Sequence, residues 1–135
     1  MRKLLSTKYS AGAFNVALLI LRLGAGLLMM SHGYIKLIKF AEFKNTFMNF
    51  MGLGSTTSLV LVIFAEFFCS ILIILGLFTR LATIPIIIAM GVILTKVTKG
   101  DFFNNGEIPA LFLIAFLTIL FLGPGKASID GMISK

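Results

Sequence analysis

Apolar residues along this chain gather into four long runs, separated by short stretches rich in Gly, Asn, Lys and Thr. The runs cover about Phe14 to Tyr34, Thr57 to Leu77, Leu81 to Val97 and Ile108 to Leu122. About 20 residues at 1.5 Å each cross a hydrocarbon core, so each run is of spanning or near-spanning length. The fourth is short and implies local bilayer thinning or a contribution from the turn at Glu107. Lipid offers the backbone no other partners, so each run is expected to be helical. The fold class this predicts is all-α: an integral membrane bundle of four transmembrane helices, forming a single domain over residues 1–135.

The polar breaks agree with that division. Gly52 and Gly54 precede the second run, where Ser55, Thr56, Thr57 or Ser58 could cap a helix. Gly76 to Arg80 joins the second and third runs so tightly that they must form an antiparallel hairpin. Pro85 is tolerated early in a helix starting near Thr83. Asn104 or Asn105 offers a cap for the fourth run, Pro109 falls just inside it, and Gly123 to Gly125 ends it. Between the first two runs, Leu37, Phe40, Phe43, Phe47 and Met51 recur at helical spacing. Lys39, Glu42, Asn45 and Asn49 fall on another side, which predicts an amphipathic interfacial helix.

Composition sharpens the class. Of 135 residues, 59% are hydrophobic and 13% charged, with a net charge of +7, and mean hydropathy is +1.07. The twelve basic residues sit at run ends without interleaved stacking aromatics, so they read as headgroup contacts and not as a nucleic-acid surface. The lone Cys69 can form no internal disulfide and has no metal-ligand spacing around it, so no metal site is expected. The first run is too long for a signal-peptide core and contains Arg22, which makes it a retained anchor. With four spans, Arg2, Lys3, Lys8, Arg80, Lys126 and Lys135 share one side, against Lys36, Lys39, Lys44, Lys96 and Lys99. The basic residues leading the first span favour both termini in the cytoplasm.

Ionisable groups inside apolar runs are the candidate chemistry. Arg22, Gly26, Met29, Gly33 and Lys36 form a seam on the first helix, where small residues admit a close neighbour. The second run carries one charge, Glu66. Counted from the N-terminal side, Arg22 and Glu66 lie at depths differing by about 3 Å, which predicts an intramembrane Arg22–Glu66 ion pair. His32, Lys36, Lys96 and Glu107 fall near the opposite face, and a cavity lined by His32, Lys36 and Glu107 would receive a polar or redox-active headgroup. Each has a plainer reading: a packing-only ion pair, a solvated histidine and snorkelling lysines.

Taken in order, RLGAG and SHGYIK in the first run, Glu66, GLFTRLA, GEIPALFL and GPGKASID resemble the DoxX family of small four-helix bacterial membrane proteins. The match spans residues 22 to 130. The resemblance implies an inner-membrane bundle, and its pattern carries over onto Arg22, His32, Gly33, Lys36, Glu66, Arg80, Glu107, Ser128 and Asp130. Some relatives are associated with quinone-linked oxidoreductases, thiosulfate oxidation or oxidative-stress resistance, and no catalytic triad comes with the family. Ser128 and Asp130 suit a turn, and could cap backbone groups or reach Arg80. The expected function is a membrane subunit with no intrinsic cofactor that binds a quinone or similar amphiphile and supports a redox partner. The alternative is an accessory subunit of a larger membrane complex or homo-oligomer. A transporter is disfavoured by the lack of inverted repeats and broken helices.

Overall fold

The computed structural model describes residues 4–47, 49, 51–97, 99–101 and 103–133. Arg2, Lys3 and Lys135, which entered the orientation count, lie outside the described residues. Helices make up all the regular structure described: α1 (Ala11–Ile38), α2 (Phe40–Phe43), α3 (Ser55–Leu75), α4 (Thr79–Val97), α5 (Glu107–Leu122) and α6 (Ile129–Ile133). Three of them, α1, α3 and α4, are long and apolar enough to cross a membrane. At 16 residues α5 is shorter, reaching about 24 Å against a core of about 30 Å.

Sequence explains most of the boundaries. Ser10 caps α1 by accepting a hydrogen bond from the Ala13 amide at 3.1 Å, and the helix runs to Ile38, one turn past the expected end. The expected amphipathic helix is replaced by the single turn of α2 and by turns at residues 44–46. Its chain is tied up differently: the Ser55 and Thr56 hydroxyls both donate to the Lys44 carbonyl, and the Asn49 side chain accepts from the Gly54 amide. Gly54 and Gly106 stand at the caps of α3 and α5 with no side-chain cap at either, so the anticipated Ser/Thr and Asn caps are not used.

The α3 C-terminus is a paired turn. Gly76 takes the left-handed conformation (φ 73°), its amide bonds Ile73 O, and the Leu77 amide bonds Leu72 O. After Phe78, α4 starts at Thr79, four residues earlier than the Thr83 start anticipated. Pro85 thus lies inside the helix.

The first helix packs against α3 and α5, and α4 against the same two, giving a four-cornered bundle. Met29, Cys69, Ile73, Ile86, Met90, Phe116 and Ile119 fill its centre. On α1 the buried residues are Leu18, Arg22, Gly26, Met29 and Gly33, the seam expected from spacing. A Cβ on Gly33 would stand 2.7 Å from the Phe67 backbone nitrogen, and one on Gly26 2.7 Å from Ile74 Cγ1. Backbone-to-backbone approach at Gly33 fixes how deeply α3 sits against α1.

Candidate functional site

Two polar clusters lie at opposite ends of the bundle, each built from several of the sequence motifs. At the end nearer the termini Arg22 is the centre. Its Nε donates to Ile73 O at 3.1 Å and Nη2 to Ile74 O at 3.0 Å, in the last turn of α3. Its Nη1 donates at 2.8 Å to both Pro124 O and Ala127 O. The cation therefore meets the negative end of a helix and the segment that follows α5.

That segment folds back across the bundle end. Its Lys126 amide bonds the Asn15 side chain at 2.9 Å, and the Asp130 amide bonds Gly76 O at 2.8 Å. Asp130 in turn accepts from the Phe78 and Thr79 amides at 2.9 and 2.8 Å, capping α4 from a distant part of the chain. Burial pushes this carboxyl up. The Thr79 and Phe78 amides and the nearby Arg22 charge outweigh it and hold the carboxyl below the usual carboxylate range. The Thr79 hydroxyl lies close enough to add to that lowering, yet closes no well-formed hydrogen bond of its own. Ser128 is buried, donating to Gly125 O and accepting from the Gly131 amide. A Cβ on Gly76 would collide with the Ser128 side chain and stand 2.8 Å from Arg22 Nη2, so glycine is required here by space as well as by φ. Arg80 reaches only Phe121 O, at 3.5 Å, and bonds neither Ser128 nor Asp130.

The expected Arg22–Glu66 ion pair is not formed. Glu66 pairs with Lys36, its Oε2 2.6 Å and Oε1 3.1 Å from Nζ. The error is one of register. Gly33 abuts Glu66 and Phe67, while Arg22 is level with Ile73 and Ile74. Seven to eight residues of α3 at 1.5 Å each then put the two charges about 11 Å apart along the helix. The first helix begins at Ala11 and overhangs the C-terminus of α3, and the C-terminal segment occupies that overhang. Depths counted from the two run ends were therefore not comparable.

Around Glu66 the α3 backbone widens into a π-turn over Phe64–Phe68, and α4 has a second at Ile93–Val97. Such turns reorient a side chain by inserting one residue into the helical ladder; Ser70 Oγ donates to the Glu66 carbonyl at 2.6 Å. Lys36 and Glu66 lie in a pocket of about 100 Å³ that His32, Met29, Met90, Ile93, Ile108, Pro109 and Phe112 also line. Glu66 is 2% exposed and the Lys36 side chain 21%, so lysine is the more accessible member of the pair. His32 meets the Phe112 ring edge-on, with centroids 5.5 Å apart.

Glu107, expected in this pocket, is exposed and does not line it. Ile108, Pro109 and Phe112 are the α5 residues that line it, and 3.6-residue periodicity turns Glu107 to the flank. Lys96 is also exposed. Sequence reasoning missed Asn15 and Thr79 as anchors of the C-terminal segment, although GLFTRLA and GPGKASID were both singled out and meet here. Met29, Met90 and Phe112 also wall the pocket.

A curated protein of Bacillus subtilis named putative oxidoreductase CatD is 27% identical over 91% of each chain. An uncharacterized protein of Haemophilus influenzae is 31% identical, over 87% of this chain and 91% of its own. No solved structure matches. The DoxX family profile matches residues 17–99, holding Arg22, His32, Gly33, Lys36, Glu66 and Arg80, and the chain belongs to the DoxX family of membrane proteins.

Proposed function

We propose that the chain is a membrane subunit that binds a quinone or similar amphiphile at the Lys36–Glu66 pocket and supports a redox partner. The observation that carries this reading is a half-buried ion pair that lines an otherwise apolar pocket together with His32. The volume limits what enters. About 100 Å³ is less than the roughly 150 Å³ of a cavity known to admit benzene. Only the carbonyl edge of a ring is accommodated, against the Lys36 ammonium or the His32 ring. The rest lies outward along a shallow groove of about 340 Å³ that shares Ile108 and Phe112 with the pocket. The name of the Bacillus subtilis relative is consistent with a redox setting.

In this reading the membrane is the bacterial inner membrane, α5 is a fourth crossing shortened by local thinning, and both termini are cytoplasmic. Quinone binding to purified protein tests it. A hydrogen bond to a charged group contributes about 1.5–3 kcal/mol, so Lys36→Met is expected to weaken binding tenfold or more. His32→Ala should weaken it several-fold. Unchanged affinity in both variants would remove the assignment.

A second reading, an accessory subunit, draws on the same pair: Lys36 and Glu66 satisfy each other and can act purely as a packing lock. Native purification separates the two readings. A stoichiometric membrane partner with no bound small molecule favours the accessory role.

A further inference from the structure

The other end of the bundle carries a pocket that the quinone reading does not use. It measures about 350 Å³ and is lined by Phe78, Thr79, Arg80, Leu81, Pro124 and Asp130. Two opposite charges face it without pairing: the one ion pair among the described residues is Lys36–Glu66. Each is held in place separately. Asp130 is fixed by the Phe78 and Thr79 amides, and Arg80 leans over Gly123 toward Phe121 O. The α4 amides are therefore already occupied, and what is left for a ligand is a carboxylate with free lone pairs and an exposed guanidinium. Thr79 Oγ1 is fully buried in the same wall beside Asp130 and closes no well-formed hydrogen bond among the described residues. Beside these groups Phe78 and Leu81 are 60% and 67% exposed, at the point where a membrane-length helix begins.

We propose that this pocket binds the headgroup of a zwitterionic phospholipid bearing a primary ammonium, with its phosphate on Arg80, its ammonium on Asp130 and its acyl chains against Phe78 and Leu81. A guanidinium matches phosphate oxygens in a forked geometry. An ammonium with three N–H groups can bond a carboxylate that already accepts two amides, and a trimethylated choline cannot. A purely anionic headgroup leaves Asp130 facing a glycerol hydroxyl in place of a cation. The two exposed apolar side chains favour a lipid over a soluble phosphoethanolamine.

Native mass spectrometry of the purified full chain, titrated with phosphatidylethanolamine, phosphatidylcholine and phosphatidylglycerol, reads this directly. A preference for the ethanolamine lipid of about tenfold is expected, the scale of one charge-assisted hydrogen bond. Asp130→Asn retains an oxygen to cap α4 and should abolish that preference. Arg80→Gln should weaken all three lipids. Equal binding of the three lipids by the unmodified protein, or a preference that survives Asp130→Asn, overturns the proposal. Free phosphoethanolamine displacing the lipid at comparable concentration would assign the pocket to a soluble ligand and overturn the lipid assignment. None of these outcomes depends on Lys36, His32 or quinone.

Discussion

Replacing Arg22 with methionine keeps an unbranched side chain and deletes four hydrogen bonds at once. Ile73 O retains the Gly76 amide. Ile74 O sits in the last helical turn with the Phe78 amide already committed to Asp130, and Pro124 O and Ala127 O have no other donor among the described hydrogen bonds. Three carbonyls thus lose their partner. At about 1 to 1.5 kcal/mol for each partly buried acceptor, the loss is about 3–5 kcal/mol. Arg22→Lys keeps the charge but not the planar fork, and should recover only part of it. Equilibrium unfolding in mixed detergent micelles measures the cost, and trypsin cleavage after Lys126 reports release of the C-terminal segment.

A double-mutant cycle then distinguishes the observed contacts from the pairing expected at first. With the Arg22 and Glu66 charges about 11 Å apart along the helix, Arg22→Met and Glu66→Gln should add to within about 0.5 kcal/mol. Lys36→Met and Glu66→Gln should not, because the second change has no pair left to break. An Arg22→Met variant within about 1 kcal/mol of the unmodified protein would refute this account of Arg22. So would strong coupling between Arg22 and Glu66.

Three alanine substitutions on α1 should order themselves by what a Cβ meets. Gly33→Ala presses on the α3 backbone and should cost about 2–3 kcal/mol, Gly26→Ala meets a movable Ile74 side chain and should cost about 1 or less, and Gly24→Ala meets nothing and should stabilise by about 0.5–1; thermal unfolding checks the order. Asp130 gives a pH dependence. Its folded pKa is lowered, so its contribution is complete above the unfolded carboxylate value of about 3.9 and is lost as pH falls through the lower folded value. Hydrogen exchange at the Phe78 and Thr79 amides should rise only in that acid range, and Asp130→Asn should flatten the response.

Long-period features were legible in the sequence. The lengths of the apolar runs located the helices, and the 22, 26, 29, 33 spacing located the buried face of α1, because both depend only on helical geometry. Partners across helices were less so. The Arg22–Glu66 pairing failed because relative depth is set by Gly33 pressing on the α3 backbone and by the overhang of α1, neither of which can be counted from run ends. Glu107 was placed in the pocket by its end of the bundle, and helical rotation turned it away. The π-turn that lets Glu66 meet Lys36 leaves no mark in hydropathy. Nor does a carbonyl acceptor set such as that of Arg22, which consists of backbone atoms.

Two of the carbonyls that hold Arg22 lie 102 and 105 positions further along the chain. On the ribosome the first helix is therefore complete long before its cation can be fully hydrogen-bonded. Until residues 124 and 127 emerge, its Nη1 bonds depend on water or headgroups. Closing the bundle around Arg22 thus waits on a late stretch of the chain, and a ribosome stalled within α5 would leave a nascent protein whose first four helices are made while half of the guanidinium's acceptors are still missing.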